Sequence, residues 1–222
     1  MPSIADHVQA LRADVAAACA RAGRAPATVR IIAVTKSQGR EVLAPLAAAG
    51  LTEFGENRIE HLLQMHQAAP PGTRFHAIGR LQSRQLRALV GICASVHSLC
   101  DPSHLQKLSA LCQEAGTRIE VFLQVNTSGE TTKAGVTPAA LPAVLAQARL
   151  LPGLEVVGLM TMAPEMPDHQ TDDGRIRQCF RALATLGSAL DLPRLSMGMS
   201  QDFPIAVEEG ATDIRVGTRL FA

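Results

Sequence analysis

The hydrophobic positions change period along the chain. Near the start, Ile4, Val8, Leu11 and Val15 recur at three- and four-residue intervals behind Ser3, the pattern of an amphipathic helix with a hydroxyl N-cap. Gly23 and Pro26 mark its end. From Arg30 onward short apolar runs alternate with helical stripes. Ile31-Ile32-Ala33-Val34 is continuous rather than alternating, as expected of a parallel strand covered on both faces. Further strands are expected at 53–55, 75–78, 95–98, 121–125, 156–160, 194–197 and 213–216. Between them lie helices with readable starts. Asp101 and Pro102 form an N-cap and first-turn pair before the stripe Leu105, Leu108, Leu111 and Cys112, with a stop at Gly116. Thr137 and Pro138 repeat that opening before Leu141, Val144, Leu145 and Ala148.

The strand candidates number eight, and a spacing of about 24 residues fits a short strand, a three-turn helix and tight loops. Eight such units suggest a (β/α)8 TIM barrel with an additional N-terminal helix packed against it. An open doubly wound parallel sheet is the alternative, since periodicity does not distinguish a closed sheet from an open one. No Pro/Ser-rich linker or charge run divides the chain, so residues 1–222 read as one domain.

Composition narrows the chemistry. The formal net charge is +1, from 21 Lys+Arg and 20 Asp+Glu, which gives no broad electrostatic reason to expect nucleic acid or a membrane surface as partner. The five cysteines include no C-x-x-C pair, so a reduced cytoplasmic protein is expected. The opening Met1-Pro2-Ser3-Ile4-Ala5-Asp6-His7 reads as neither signal peptide nor anchor, and no segment approaches the ~20 apolar residues of a membrane span. The histidines form no metal-ligand cluster, and none of the common nucleotide or zinc motifs is present. There is no Tyr, which rules out a phenol of this chain as acid, base or nucleophile.

Lysine is scarce: Lys36, Lys107 and Lys133 stand beside 18 arginines. Lys36 directly follows the first strand, at the end that faces the active site in a β/α barrel. A desolvated amine there would have its pKa lowered, favouring the neutral nucleophile needed for a Schiff base. At the other end of the chain, Ser196 through Ser200 close the seventh strand and Arg215-Val216-Gly217-Thr218 the eighth. Barrels often hold phosphate on the loops after strands seven and eight. Gly198 and Gly217 let backbone approach an anion, and Ser200 and Thr218 offer hydroxyls. A Schiff-base lysine opposite a phosphate cup describes pyridoxal 5′-phosphate (PLP).

At these residues the sequence resembles the pyridoxal phosphate homeostasis protein family. The matching stretches are Ala33-Val34-Thr35-Lys36, Phe54 to Arg58, Phe75 to Gly79 with Leu81-Gln82-Ser83, Gln124 to Glu130 with Lys133 and Gly135, Gly158 to Pro164, Leu195 to Ser200 and Arg215 to Thr218. The resemblance implies a barrel like the N-terminal domain of alanine racemase, of PLP fold-type III, with Lys36 carrying the cofactor as an internal aldimine. It also implies that Ser200, Gly217 and Thr218 hold the phosphate, that Arg215 faces the pyridine nitrogen, and that Asn57, His76 and Met197 line the ring. Departures from the family pattern are Arg84-Gln85 in place of Asn-Lys, Gly39 in place of proline, and Ala222 in place of a final glycine.

The implied role is a non-catalytic PLP carrier in vitamin B6 homeostasis that passes the cofactor to apo-enzymes. An amino-acid racemase on the same barrel is the rival, and it needs a second proton-transfer group; His76 and Cys100 are the candidates here. A third reading is a barrel binding another phosphorylated aldehyde or sugar, with Lys36 acting as an aldolase-like lysine. Lys133, after the fifth strand, is either a solvated loop lysine or a second amine at the mouth.

Overall fold

The computed structural model describes residues 2–130, 132–164 and 173–221; Ala222 lies outside them. Eight parallel strands close into a barrel in sequence order, each paired with its neighbours and β8 with β1. They are β1 (Arg30–Val34), β2 (Glu53–Glu56), β3 (Arg74–Ala77), β4 (Cys93–Leu99), β5 (Ile119–Gln124), β6 (Leu154–Met160), β7 (Arg194–Ser196) and β8 (Asp213–Val216). Every expected strand is present, and the closed reading replaces the open sheet. Ile32 of β1 pairs with Arg215 of β8, and Ala33 with Phe54 of β2. Those registers set the Lys36 loop between the loops after β2 and β8.

Helix α1 (Ile4–Arg21) begins where the pattern places it. Ser3 and Asp6 cap each other reciprocally, and Val8, Leu11 and Val15 are buried. It packs against the C-terminal segments: His7 Nδ1 lies 3.1 Å from the Leu220 carbonyl, and Arg219 pairs with Asp14. The outer layer continues with α2 (Leu43–Ala48), α3 (Ile59–Ala68), α4 (Pro102–Glu114), α5 (Leu141–Arg149), α6 (Asp173–Ala189), α7 (Phe203–Glu208) and α8 (Thr218–Phe221). The α4 cap is as expected, Asp101 accepting from the Ser103 amide at 2.8 Å.

Two connections differ from the expected pattern. The β3–β4 link is a 3-10 helix over Ser83–Leu89 rather than an α-helix, short enough to seat only Leu86 and Leu89 in the core. Helix α5 starts at Leu141, after a turn that Thr137 closes by accepting the Ala140 amide. Pro142, which has no N–H to offer, occupies its first turn.

The barrel interior mixes apolar and polar layers. At the N-terminal ends of the strands the charges alternate around the ring. Arg30 pairs with Asp213, Asp213 with Arg194, Arg194 with Glu120, Glu120 with Arg74 and Arg74 with Glu53. Phe122 sits inside this belt, its ring stacked on His97 at 4.2 Å between centroids and under the Arg194 guanidinium at 4.8 Å. No helix among the described residues is long and apolar enough to cross a membrane.

Candidate functional site

The C-terminal ends of the strands surround a cavity of about 720 Å³, within the range of small-molecule sites. Lys36, Asn57, Ser200, Arg215, Gly217 and Thr218 line it. The topology thus gathers residues from the loops after β1, β2, β7 and β8 at one mouth.

Each is positioned by a local device. The chain turns outward after β1, where Thr35 is buried and its hydroxyl donates to Glu56 Oε1 at 2.5 Å. The other Glu56 oxygen pairs with His61 Nδ1 at 2.8 Å, and His61 Nε2 reaches the Gln38 carbonyl at 3.0 Å. Residues on both sides of Lys36 are therefore fixed to one buried carboxylate. Lys36 itself is exposed at the rim rather than desolvated, because the turn that begins at Lys36 carries it clear of the barrel core. Asn57 sits in the loop that Gly79 packs against so closely that a Cβ at Gly79 would overlap the Asn57 carbonyl oxygen.

The loops after β7 and β8 are tied together. The Gly217 amide donates to Ser200 Oγ at 3.2 Å, and the Arg215 amide donates to the Gly198 carbonyl at 2.9 Å. Gly198 has φ +93°, and a Cβ there would come within 2.6 Å of Ala206 Cβ. Asp202 also lines the cavity and accepts the Met199 amide at 2.5 Å. Burial pushes its carboxyl up, against the lowering effects of that amide and of Arg215.

Arg215 forms part of the floor. It is 5% exposed, and its guanidinium donates to Ser196 Oγ at 2.6 Å and to the Thr161 carbonyl at 3.1 Å. Burial lowers its pKa to about 10, opposed by Asp202 and Asp213, so it remains a cation at neutral pH. It lines the cavity as a donor-only group.

Two expected ring contacts are absent from the cavity wall. His76 is fully buried inside the barrel, bonded to Glu53 and Ser95 at 2.6 and 2.7 Å. Met197 is fully buried in the hydrophobic core. Met197 follows Ser196, which faces the barrel axis, so alternation turns it outward into the core, whereas His76 faces the axis but reaches Glu53 in the belt at the far end. Lys133 is neither solvated nor directed into the cavity: its amine pairs with Glu130 at 3.0 Å and donates to the Ala163 carbonyl. Arg84 is exposed, and Gln85 accepts the Gln82 amide at 2.8 Å to cap the 3-10 helix. Sequence reasoning gave no cavity role to Arg80, Asp101 and His104, which line the side opposite Ser200 with Cys100; Arg80 and Asp101 fall on the connections after β3 and β4 and His104 in the first turn of α4, so their meeting depends on closure.

The donor set matches a phosphorylated pyridine aldehyde: an amine at the rim, hydroxyls and a backbone amide on the loops after β7 and β8 beside it, and a buried cation in the floor. Comparison with known proteins agrees. The alanine racemase N-terminal domain family matches residues 7–222. A pyridoxal phosphate homeostasis protein of Deinococcus radiodurans is 42% identical over 97% of this chain and 99% of its own. One from Aquifex aeolicus is 35% identical over 92% of this chain and 91% of its own. The structure of PipY from Synechococcus elongatus, solved with PLP bound, superposes with a TM-score of 0.85 at 31% identity, covering 99% of this chain and all of that one. An alanine racemase from Corynebacterium glutamicum shares the fold at a TM-score of 0.69 and 20% identity, this chain spanning 60% of it. The chain belongs to the pyridoxal phosphate homeostasis protein family, within the wider alanine racemase N-terminal domain family.

Proposed function

We propose that this protein binds PLP reversibly on Lys36 and acts in cytoplasmic vitamin B6 homeostasis as a carrier, without itself turning over an amino acid. The observation that carries this reading is the convergence of Lys36, Arg215, Ser200 and Gly217 on one cavity. PLP supplies an aldehyde that condenses with amines and a ring that withdraws electrons. Lys36 Nζ would be the amine that holds it, exposed and therefore open to exchange with an incoming amine. Ser200, Gly217 and Thr218 would hold the phosphate, and Asn57 would flank the ring. Residues 1–222 would serve as one PLP-binding unit.

Arg215 argues for carriage over catalysis. A cation against the pyridine nitrogen disfavours its protonation, which weakens the ring as an electron sink. The proton-transfer partner a racemase needs is also poorly supplied. His76 is buried within the barrel. Burial raises the Cys100 thiol above its ordinary range, against smaller lowering effects from the Gly135 amide and Arg80, so little thiolate is present to act as a base. The remainder of the cavity, beside Arg80, Cys100 and His104, gives an amine from an amino acid or an apo-enzyme room to approach. The free cysteines at positions 19, 93, 100, 112 and 179 suit a reducing compartment.

Cofactor titration tests the phosphate assignment. Ser200→Ala and Thr218→Val are each expected to weaken PLP binding by roughly tenfold, the cost of one charge-assisted hydrogen bond; unchanged affinity in both would contradict it. Exchange of an amino acid's α-hydrogen with solvent at enzymatic rates would instead favour the racemase.

A further inference from the structure

An unbroken line of hydrogen bonds crosses the barrel interior beneath the cavity. Arg215 donates to Ser196 Oγ at 2.6 Å, and Ser196 Oγ lies 2.7 Å from His97 Nδ1. His97 Nε2 lies 2.7 Å from Ser95 Oγ, and Ser95 Oγ lies 2.7 Å from His76 Nδ1. His76 Nε2 ends the line 2.6 Å from Glu53 Oε2, in the charge belt at the opposite end of the barrel. Ser196, His97, Ser95 and His76 are completely buried.

The two ends differ in kind. Arg215 can only donate, and an ionised carboxylate can only accept. Burial acts to raise the Glu53 carboxyl, but the His76 hydrogen bond and the nearby charges, Arg74 and Arg30 included, outweigh it and keep the group below the ordinary carboxylate range. With both ends fixed and both rings neutral, every bond between them takes one direction. Ser196 accepts from Arg215 and donates to His97 Nδ1; His97 Nε2–H donates to Ser95; Ser95 donates to His76 Nδ1; His76 Nε2–H donates to Glu53. Each hydroxyl and each imidazole then accepts once and donates once. With the His97 proton on Nδ1 instead, Ser196 would accept from both sides and its own buried proton would have no acceptor.

We propose that this line is a polarised hydrogen-bond spine with a single proton arrangement, and that His97 is a positioning residue through which the barrel interior holds Arg215 against the cavity. The proposal rests on the reading of Arg215 as the partner of the cofactor's ring nitrogen. Its physical content is that Arg215 is anchored by neutral oxygens, Ser196 Oγ and the Thr161 carbonyl, while Asp202 and Asp213 act on it only through space. A hydroxyl that donates onward becomes a better acceptor, so the spine steadies the guanidinium without cancelling its charge. Burial pushes His97 well below its ordinary range, and the charge of Arg215 acts in the same direction, in keeping with a neutral ring.

The first test needs no cofactor. Long-range 15N–1H correlation spectra of the 15N-labelled protein, with His76 and His97 assigned by signal loss in His76→Gln and His97→Gln, report which nitrogen carries each proton. Both rings neutral and protonated at Nε2 is the expected result; a proton on Nδ1 of either ring overturns the spine. The second test titrates PLP and follows its visible absorbance. His97→Leu is expected to weaken binding by about tenfold and shift the absorbance maximum, while His97→Gln, which accepts through oxygen and donates through nitrogen, restores most of the affinity. Affinity and spectrum unchanged in His97→Leu overturn the positioning role. Ser196→Ala gives the same readout if His97→Leu does not fold. Failure of the parent protein to bind PLP would contradict the function proposed above and leave the tautomer result standing.

Discussion

Lys36 illustrates how a short stretch of sequence places a reactive group. Its neighbours Thr35 and Gln38 are tied, directly and through His61, to the buried Glu56 carboxylate, so the amine projects from a fixed turn. Gly198 does comparable work for the loop after β7. A side chain there must adopt φ +93° and meet Ala206 Cβ at 2.6 Å. Gly198→Ala is expected to cost about 1–3 kcal/mol in denaturant unfolding and to weaken PLP binding through displacement of Ser200. At this scale the sequence is readable where identity implies chemistry, as for Lys36, Ser200 and Arg215. It misleads where direction matters: His76 and Met197 stand beside mouth residues in the chain, yet both side chains are buried away from the cavity.

Among the elements, the strands were legible because burial on both faces leaves apolar runs with no alternation, as in Ile31 to Val34. The β3–β4 connection was less so, since Leu86 and Leu89 suit a short α-helix and a 3-10 turn equally. Helices α1, α6 and α7 are clasped by ion pairs that no periodicity announces. Arg21 and Arg177 hold Glu208, while Arg177 and Arg181 hold Glu209. Hydrogen bonds from Arg177 and Arg21 keep Glu208 below the usual carboxylate range; for Glu209 burial opposes the lowering but is outweighed by Arg181 and Arg177. A depressed folded-state pKa gives stability that is present above the unfolded value of about 4.3 and is lost as pH falls through the folded value. Glu209→Gln is accordingly expected to lower Tm by about 2–4 °C at neutral pH, a contribution of at most about 1 kcal/mol after screening at the exposed arginines. Thermal melts of parent and variant should converge as the pH drops below about 4; a constant gap across that range would contradict the ion-pair account.

At the scale of the whole molecule, closure of the barrel creates what no segment contains. The charge belt draws Arg30, Glu53, Arg74, Glu120, Arg194 and Asp213 from strands scattered along the chain. The interior line from Arg215 to Glu53 likewise depends on β2, β3, β4, β7 and β8 facing a common axis. The eight-unit repeat and the mouth-facing loops could be read in advance; these interior partnerships could not, because they depend on register and side-chain direction. The resulting molecule offers a rim amine, a floor cation and a hydroxyl-lined wall in a single cavity. Lys36 is the residue proposed to hold PLP. The direct measurement is a visible spectrum of the purified protein with PLP, followed by borohydride reduction and peptide mapping. Visible absorbance that reduction abolishes and a pyridoxyl group fixed on Lys36 are expected in the parent, and neither in Lys36→Ala; absence of that absorbance in the parent, or a label on Lys133 with Lys36 unmodified, would contradict the assignment.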